Sequence, residues 1–403
     1  MKFAHIADIH IGGWKEEKLN SLGIEAFRRA IDNCIAERVG FVIIAGDLFN
    51  TALPNIDLIK EVSSILRKLR DDEIECYVIP GSHDFSPSGK TMIDVLENAG
   101  LVVNVMNVVR EEDSLKLNFT EDRTGVKLTG LYGKAAGLEK LDYDLLDKSN
   151  LESESSFKIF LFHHILEEYK PGGFEMIEGI SLNKFPKGFD YYAGGHPHVV
   201  MNENVQNYGV VTYPGALFPN NFAELEKFKG GGFFIVNVQD SKIEEVKHVF
   251  IKLKEVEALK IDVSGMGSIS AQDFILEKVR DLDVTDKIVL LRVKGVLSSG
   301  KVSDIDFGEI FSLLDSAYIT LKNTSKLQSK EIVDLEVEIG STEDIESKFI
   351  GEFKSDFNST DVSNFIDILN DEKQEGETNT NFENRLEKNM IKVLGLGDFW
   401  NVN

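Results

Sequence analysis

Five apolar segments of this 403-residue chain each stop at an aspartate or a histidine, so any fold that gathers those endings is built around a polar cluster. The clearest is Phe41-Val42-Ile43-Ile44-Ala45, which runs into Gly46-Asp47-Leu48-Phe49. Five consecutive non-polar residues suit a strand covered on both faces, as in an open α/β sheet, and the glycine lets the backbone turn at its carboxyl end. Such sheets build their sites there. A lone aspartate at that place is most simply a helix cap, but the other endings change the reading. Asp8 and His10 close the first strand, Ser82, His83 and Asp84 follow Glu75–Ile79, His163 and His164 follow Phe157–Phe162, and His196 and His198 follow Tyr191–Ala193.

Six of the eight histidines stand at these endings; His5 and His248 lie elsewhere and read as packing residues. Clustered imidazoles and carboxylates suit two divalent ions about 4 Å apart, which need a shared anion and open positions for water and a phosphoryl oxygen. Asp8-x-His10 and His196-x-His198 would each present two side chains on one side of an extended backbone. No cysteine joins the set, which disfavours a structural zinc site. Cys34 and Cys76 sit inside apolar patterns and read as reduced core thiols.

A formal charge of -24 argues against a protein that coats nucleic acid unaided, because that binding rests on Lys and Arg neutralising phosphates. A polyanionic substrate would have to be met by local lysines, metal ions or a partner subunit. Lys90, Lys134, Lys170, Lys184, Lys187, Lys227 and Lys229 lie on loops near the motifs and are the candidates. Trp14 and Phe85, beside the motifs, either stack on a base or pack. No apolar run approaches the roughly 20 residues of a membrane helix, and no signal-peptide pattern precedes the first strand. These features predict a soluble, intracellular protein with no membrane partner.

Helical spacing of Phe27, Ile31, Cys34 and Ile35 predicts a helix over about Ile24 to Arg38, and a second spans about Ile56 to Arg70. With a third at about Lys90 to Asn98, the order of strands and helices is that of a parallel α/β sheet. From about Val256 the pattern restarts as a small βαβαβ unit. It has strands at Leu259–Val263, Lys287–Val293 and Tyr318–Lys322 and helices at Ser270–Leu282 and Ile305–Asp315. Beyond Lys326 the chain turns polar and acidic. Three apolar faces remain there, on Ile345, Phe349 and Phe353, on Val362, Phe365, Ile366 and Leu369, and on Phe382, Leu386, Met390 and Leu394. With no sheet to cover, they pack on one another or on a partner.

Asp-x-His, Gly-Asp, Gly-x-His-Asp, His and Gly-His-x-His, in this order, resemble the signature of the calcineurin-like metallophosphoesterases. One branch, the meiotic recombination eleven and SbcD DNA-repair nucleases, is similar over more of the chain. Its opening strand resembles Phe3-Ala4-His5-Ile6-Ala7-Asp8-Ile9-His10-Ile11-Gly12, its second motif Gly46-Asp47-Leu48-Phe49, and a later segment Tyr213-Pro214-Gly215. Phe382-Glu383-Asn384-Arg385-Leu386, continuing to Val393-Leu394-Gly395-Leu396, resembles the region by which archaeal members dock on the Rad-fifty ATPase.

The resemblance implies two facing mixed β-sheets flanked by helices, a small α/β capping domain and a helical C-terminal tail. The expected division is 1–254 for the nuclease domain, 255–326 for a capping and DNA-binding domain, and 327–403 for the linker and partner-binding helices. Two manganese ions, or magnesium or another divalent metal, are implied. Asp8, His10 and His198 would hold one and His163 and His196 the other, with Asp47 bridging. His83 would protonate the leaving oxygen or stabilise the charged transition state, with Asp84 orienting its ring. Of the paired histidines His163 is taken as the ligand, because it directly follows the strand, and His164 as structural.

Two positions depart from the family. Ser82 stands where an asparagine usually binds the second ion, so that ion is expected to be reached through water or held more weakly. Asn50 stands where many members have a phosphate-contacting histidine. The expected activity is hydrolysis of DNA phosphodiesters, exonucleolytic on duplex and endonucleolytic on single strands, in the cytoplasm of a prokaryotic cell at the nucleoid. The expected assembly is a homodimer through the second and third helices, with Leu58 and Met92 exposed, joined to a Rad-fifty-like SMC ATPase through the C-terminal helices. The alternatives are an enzyme acting on small phosphodiesters or phosphoproteins, and a non-catalytic scaffold that tethers DNA ends.

Overall fold

Three strands, Lys2–Ile6, Phe41–Ala45 and Glu75–Ile79, lie parallel and adjacent, each joined to the next by a helix. The computed structural model describes residues 1–86, 91–111, 114–133, 140–172 and 177–330, with 385–386 and 388–389. The three apolar faces of the C-terminal region fall outside the described residues, apart from Leu386.

The first connecting helix, Glu17–Ala36, begins seven residues before the expected Ile24. Leu19 and Leu22 extend the buried stripe of Ala26, Phe27, Ala30, Ile31 and Cys34 toward the N-terminus, so packing carries the helix past its uncapped start. The second, Ile56–Asp71, is capped by Asn55, whose side chain accepts the Asp57 N–H at 3.0 Å. The third, Met92–Asn98, starts with a capping box made by Thr91 and Asp94.

Two six-stranded mixed sheets result. One runs in the order Lys242–Ile251, Gly231–Gln239, Lys2–Ile6, Phe41–Ala45, Glu75–Ile79, Val103–Asn104. The other runs Val200–Val205, Gly209–Pro214, Tyr191–Gly195, Lys158–His163, Lys127–Leu131, Thr120–Glu121. Because side chains alternate across a strand, Phe3, Phe41 and Ile43 of the first sheet meet Leu128, Ile159, Leu161 and Tyr191 of the second in a shared core. Val42, Ile44 and Val78, on the opposite face, pack under the connecting helices. Cys34 and Cys76 are buried free thiols in that layer, and burial pushes both thiols up. Both faces of the central strands are thereby covered, and their carboxyl ends open along one edge.

Leu58 and Met92 are half-buried and pack against the helix-side core, which corrects their expected exposure. Packing on that core turns them inward, and Leu53, Ile56 and Val95 are exposed apolar residues of this region. Later in the chain, Val256–Asp262, Ile288–Leu297 and Ile319–Ser329 form a three-stranded sheet. The helix expected over Ile305–Asp315 is shorter, Phe307–Ser312. The Asp306 carboxylate accepts the N–H groups of Gly308 and Glu309 and so sets its start.

By its contacts the chain divides into two compact units. One comprises Met1–Lys260, Val279–Arg292 and Phe311–Asn323; the other comprises Ile261–Lys278, Val293–Ile310 and Thr324–Asn403. Among the described residues no helix is long and apolar enough to cross a membrane.

Candidate metal centre

The strand endings of both sheets meet at one place in the first unit. Asp8, His10, Asp47, His83 and Asp84 come from the first sheet, and His163, His196 and His198 from the second. Three overlapping groups have ligand atoms all within 4.8 Å of one another: Asp8, His10 and His198; His10, Asp47 and His83; and Asp47, His163 and His196. Asp47 is shared by the second and third of these groups and His10 by the first and second, so the three form one continuous cluster. The Nε2 atoms of His10 and His198 are 2.9 Å apart, and Asp47 Oδ2 lies 3.1 Å from His163 Nε2 and 3.6 Å from His10 Nε2.

The local backbone departs from the extended Asp-x-His device expected of the sequence. Asp8, His10, Asp47, His196 and His198 all have positive φ, of 51°, 48°, 52°, 103° and 51°. A non-glycine residue held in that region costs on the order of 1–3 kcal/mol and persists only when its surroundings enforce it. Here the enforcement is visible as hydrogen bonds. Ile9 and His10 both donate their N–H to the Asp47 carbonyl at 2.9 Å, and the His196 N–H lies 2.9 and 3.0 Å from the two Asp8 oxygens. Each pair of ligands therefore converges through a tight turn instead of along one side of a strand.

Close backbone approach explains the glycines. A Cβ on Gly46 would collide with the His163 ring, and one on Gly81 would collide with the Asp47 carboxylate.

The donor set fits divalent metal. His163 is fully buried; its Nδ1 bonds to the Ala45 carbonyl at 2.8 Å, which puts the lone pair of the neutral ring on Nε2. That Nε2 is buried with no hydrogen-bond partner and faces Asp47 and Asp8. An orphaned lone pair beside two carboxylates is the arrangement a cation completes. Without one, burial works against charge on His163, but the charge of Asp47, and the bond to it that Nε2 donates once protonated, lift the His163 pKa to about 10. Asp47 is pulled below the usual carboxylate range: burial pushes it up, and His163 and His10 outweigh that. Burial holds His10 and His196 down to about 3, so both are neutral and free to bind an ion.

Ser82 Oγ lies 3.4 Å from Asp47 Oδ2, at the edge of the second triplet. His83 is exposed, and its N–H donates to Asp47 Oδ1 at 2.8 Å. Its ring is oriented differently from the expectation. Nδ1 bonds to the Asn50 carbonyl at 2.9 Å, and Asp84 does not orient it. The Asp84 carboxylate is fully buried and instead accepts the N–H groups of Leu48, Phe49 and Gly81 at 3.0–3.1 Å. It ties the loop after Asp47 to the loop before His83. Burial, and then the charge of Asp47, raise its pKa to about 6.

His164 is buried among Tyr143, Phe162 and Phe185, away from the triplets. His5 is buried between the sheets with Nδ1 3.0 Å from the Tyr191 hydroxyl, and His248 Nε2 lies 3.1 Å from the Pro214 carbonyl. Sequence reasoning passed over Glu224, whose Oε1 lies 3.0 Å from His198 Nδ1. Its only signal was the Asn221-x-x-Glu224 spacing, which reads as an ordinary helix cap.

An open cleft of about 410 Å³ leads to the cluster, with His83, His196, Glu224, Lys227 and Phe228 among its walls. Of the seven candidate lysines, Lys227 lines it, whereas Lys170 and Lys184 are paired with Glu167 and Asp144. Lys90 and Lys134 lie outside the described residues. Trp14 packs on the core and donates Nε1–H to the Pro219 carbonyl at 2.8 Å, and Phe85 stacks on Tyr132.

Residues 1–200 match the family model for calcineurin-like phosphoesterases. The chain carries a calcineurin-like phosphoesterase domain. It is a metal-dependent phosphoesterase of a family that uses two metals, and the clustered aspartates and histidines are the candidates to hold them. Among characterised relatives it is similar to DNA double-strand break repair protein Mre11 of Methanopyrus kandleri, 28% identical over 66% of this chain and 60% of that one. The chain thus spans less than two thirds of that relative. The Mre11 protein of Methanococcus maripaludis is 29% identical over 63% of this chain and 68% of its own length. That of Methanocaldococcus jannaschii is 24% identical over 89% and 90%.

Proposed function

We propose that this phosphoesterase is a DNA double-strand break repair nuclease subunit, which hydrolyses phosphodiester bonds of DNA with two divalent ions. Manganese is the proposed metal, exonuclease action on duplex and endonuclease action on single strands the proposed activities. A homodimer joined to a Rad-fifty-like ATPase through the C-terminal helices is the proposed assembly, located at the nucleoid. The observation that carries the reading is the pair of triplets meeting at Asp47, open to a cleft with His83 exposed beside it. Likeness to Mre11 proteins over most of the chain supports DNA as the substrate. Exposed apolar side chains at Leu53, at Ile56 of the second helix and at Val95 of the third support a dimer contact through these helices.

In this reading Asp8, His10 and His198 hold one ion and His163 and His196 the other, with Asp47 between them and Ser82 beside the second. The ions, when bound, polarise the phosphoryl oxygen and make water nucleophilic at neutral pH. His83 holds Nδ1 on the Asn50 carbonyl, so Nε2 faces the cleft and, when protonated, donates to the departing oxygen. Lys227, on the cleft wall, neutralises a neighbouring phosphate. Asp84 acts by holding the two loops together. The proposed domains are 1–254 for hydrolysis, 255–326 for capping and 327–403 for partner binding.

The test uses labelled linear duplex DNA and a chromogenic small diester, each with Mn²⁺, and compares the native protein with His83→Ala. DNA cleavage by the native protein that His83→Ala abolishes is the expected result. Diester turnover with intact DNA would replace this proposal with a small-phosphodiester enzyme, and no turnover of either would favour the tethering scaffold.

A further inference from the structure

We infer that Glu224 is the positioning carboxylate of the metal centre, holding the His198 ring so that its Nε2 faces the ion. The inference rests on reading the Asp and His cluster as a two-metal site.

His198 reaches the cluster through Nε2, which lies 2.9 Å from His10 Nε2 and 3.8 Å from Asp8 Oδ1. Its other nitrogen, Nδ1, lies 3.0 Å from Glu224 Oε1. A carboxylate accepts only, so Nδ1 carries the proton and Nε2 the lone pair. The same contact fixes the ring plane and makes Nε2 a stronger donor, the usual consequence of a carboxylate behind a metal-binding imidazole. His163 is backed by a neutral carbonyl instead, and His10 Nδ1 is buried with no partner. Among the described residues, Glu224 is thus the carboxylate that backs a ligand imidazole without itself belonging to a triplet.

The carboxylate is itself held in place. Its Oε2 accepts the Asn220 N–H at 2.8 Å and its Oε1 the Asn221 side-chain amide at 2.7 Å. Both Glu224 and His198 side chains are 17% exposed, so water screens the pair little. The helix bearing it, Phe222–Phe228, is anchored by the buried Leu225. It is also clamped by Arg292, whose guanidinium bonds to both Glu226 oxygens at 3.0 and 3.1 Å and lies over the Phe222 ring. Displacement of this helix would carry Glu224 away from His198, so one metal ligand is aligned from an element outside the motif loops.

The experiment is calorimetric titration with Co²⁺, together with the visible absorption of the bound cobalt, on the native full chain, Glu224→Gln and Glu224→Ala. Outer carboxylates of this kind typically contribute roughly ten- to hundred-fold in metal affinity. The expected result is that both variants lose about that factor for one ion, keep native affinity for the other and show an altered cobalt spectrum. Their metal-free melting follows the native curve closely enough for binding to be read. Native affinity for both ions in Glu224→Ala with an unchanged spectrum overturns the inference, as does equal weakening of both ions. A Glu224→Ala protein that melts lower but binds cobalt as the native does shows a cap and loop role only, which also overturns it. DNA cleavage enters none of these outcomes. Native protein that binds two ions but leaves DNA intact refutes the proposed function alone, and native protein that binds none refutes both.

Discussion

Asp47 Oδ2 stands 3.1 Å from His163 Nε2, so without metal this carboxylate and an imidazolium form an ion pair in a fully buried setting. Metal has to displace that proton. His163 is raised from 6.5 to about 10 in the metal-free protein, so at pH 7 uptake at the second position releases a proton. Affinity therefore rises with pH, by up to about tenfold per unit between pH 7 and 10, and levels above it. Calorimetry in two buffers of different ionisation enthalpy at pH 7 reads the proton directly. Equal apparent enthalpies in both buffers would refute the pairing.

The same pair sets a stability window for the metal-free protein. A histidine raised from 6.5 to about 10 contributes fully below 6.5, and its contribution is lost as pH climbs toward 10. Denaturant midpoints of metal-free protein should fall between pH 7 and 10, and Asp47→Asn should flatten that fall.

Asp84 is a fastening between loops, so its removal is a matter of stability before chemistry. Asp84→Ala leaves the N–H groups of Leu48, Phe49 and Gly81 without their acceptor, at about 1–3 kcal/mol for each that stays buried. The expected loss is about 3 kcal/mol or more by urea unfolding, with a fall in kcat as His83 drifts. His83→Ala, at an exposed position, should unfold as the native protein does while losing about 10²- to 10⁴-fold in rate.

Ser82 reaches Asp47 only at 3.4 Å, and it offers one hydroxyl where the family resemblance implies the longer amide of asparagine. Ser82→Asn is expected to tighten the second ion, the first being unaffected. Two equally tight sites in the native protein, by titration with Mn²⁺, would contradict the weak-second-ion expectation.

Both ring nitrogens of His164 are buried without hydrogen-bond partners among the described residues, inside an aromatic cluster. Replacing an unsatisfied polar ring by an apolar one of similar shape is neutral or stabilising, by up to about 1–3 kcal/mol. His164→Phe should keep the metal affinities and hold or raise the melting temperature, whereas His163→Phe should abolish binding at one position.

Strand endings were legible because apolar runs and polar stops are local properties. Phe41–Ala45 with Asp47, and Phe162 with His163, need no knowledge of the rest of the chain to be seen. Partners across long separations were not. The Asn50 carbonyl that orients His83 is a backbone atom, and no side-chain pattern announces it. Glu224 was concealed by a second role, since a glutamate in the first turn of a helix is already accounted for. The conformation of Asp8 and His10 was misread for a related reason: Asp-x-His suits a strand, and only the hydrogen bonds to the Asp47 carbonyl force both residues out of it. Packing likewise reversed the exposure of Leu58 and Met92, which periodicity alone leaves open.

Left-handed backbone at Asp8, His10, Asp47 and His198 means that folding and hydrolysis make opposite demands on the same four positions. Glycine at any of them would ease the local backbone and remove a residue of the candidate metal centre, and at Asp8 or Asp47 it would also remove the acceptor of the His196 or His83 N–H. Selection for heat resistance alone would therefore relax His10 first and dismantle the candidate metal centre unnoticed.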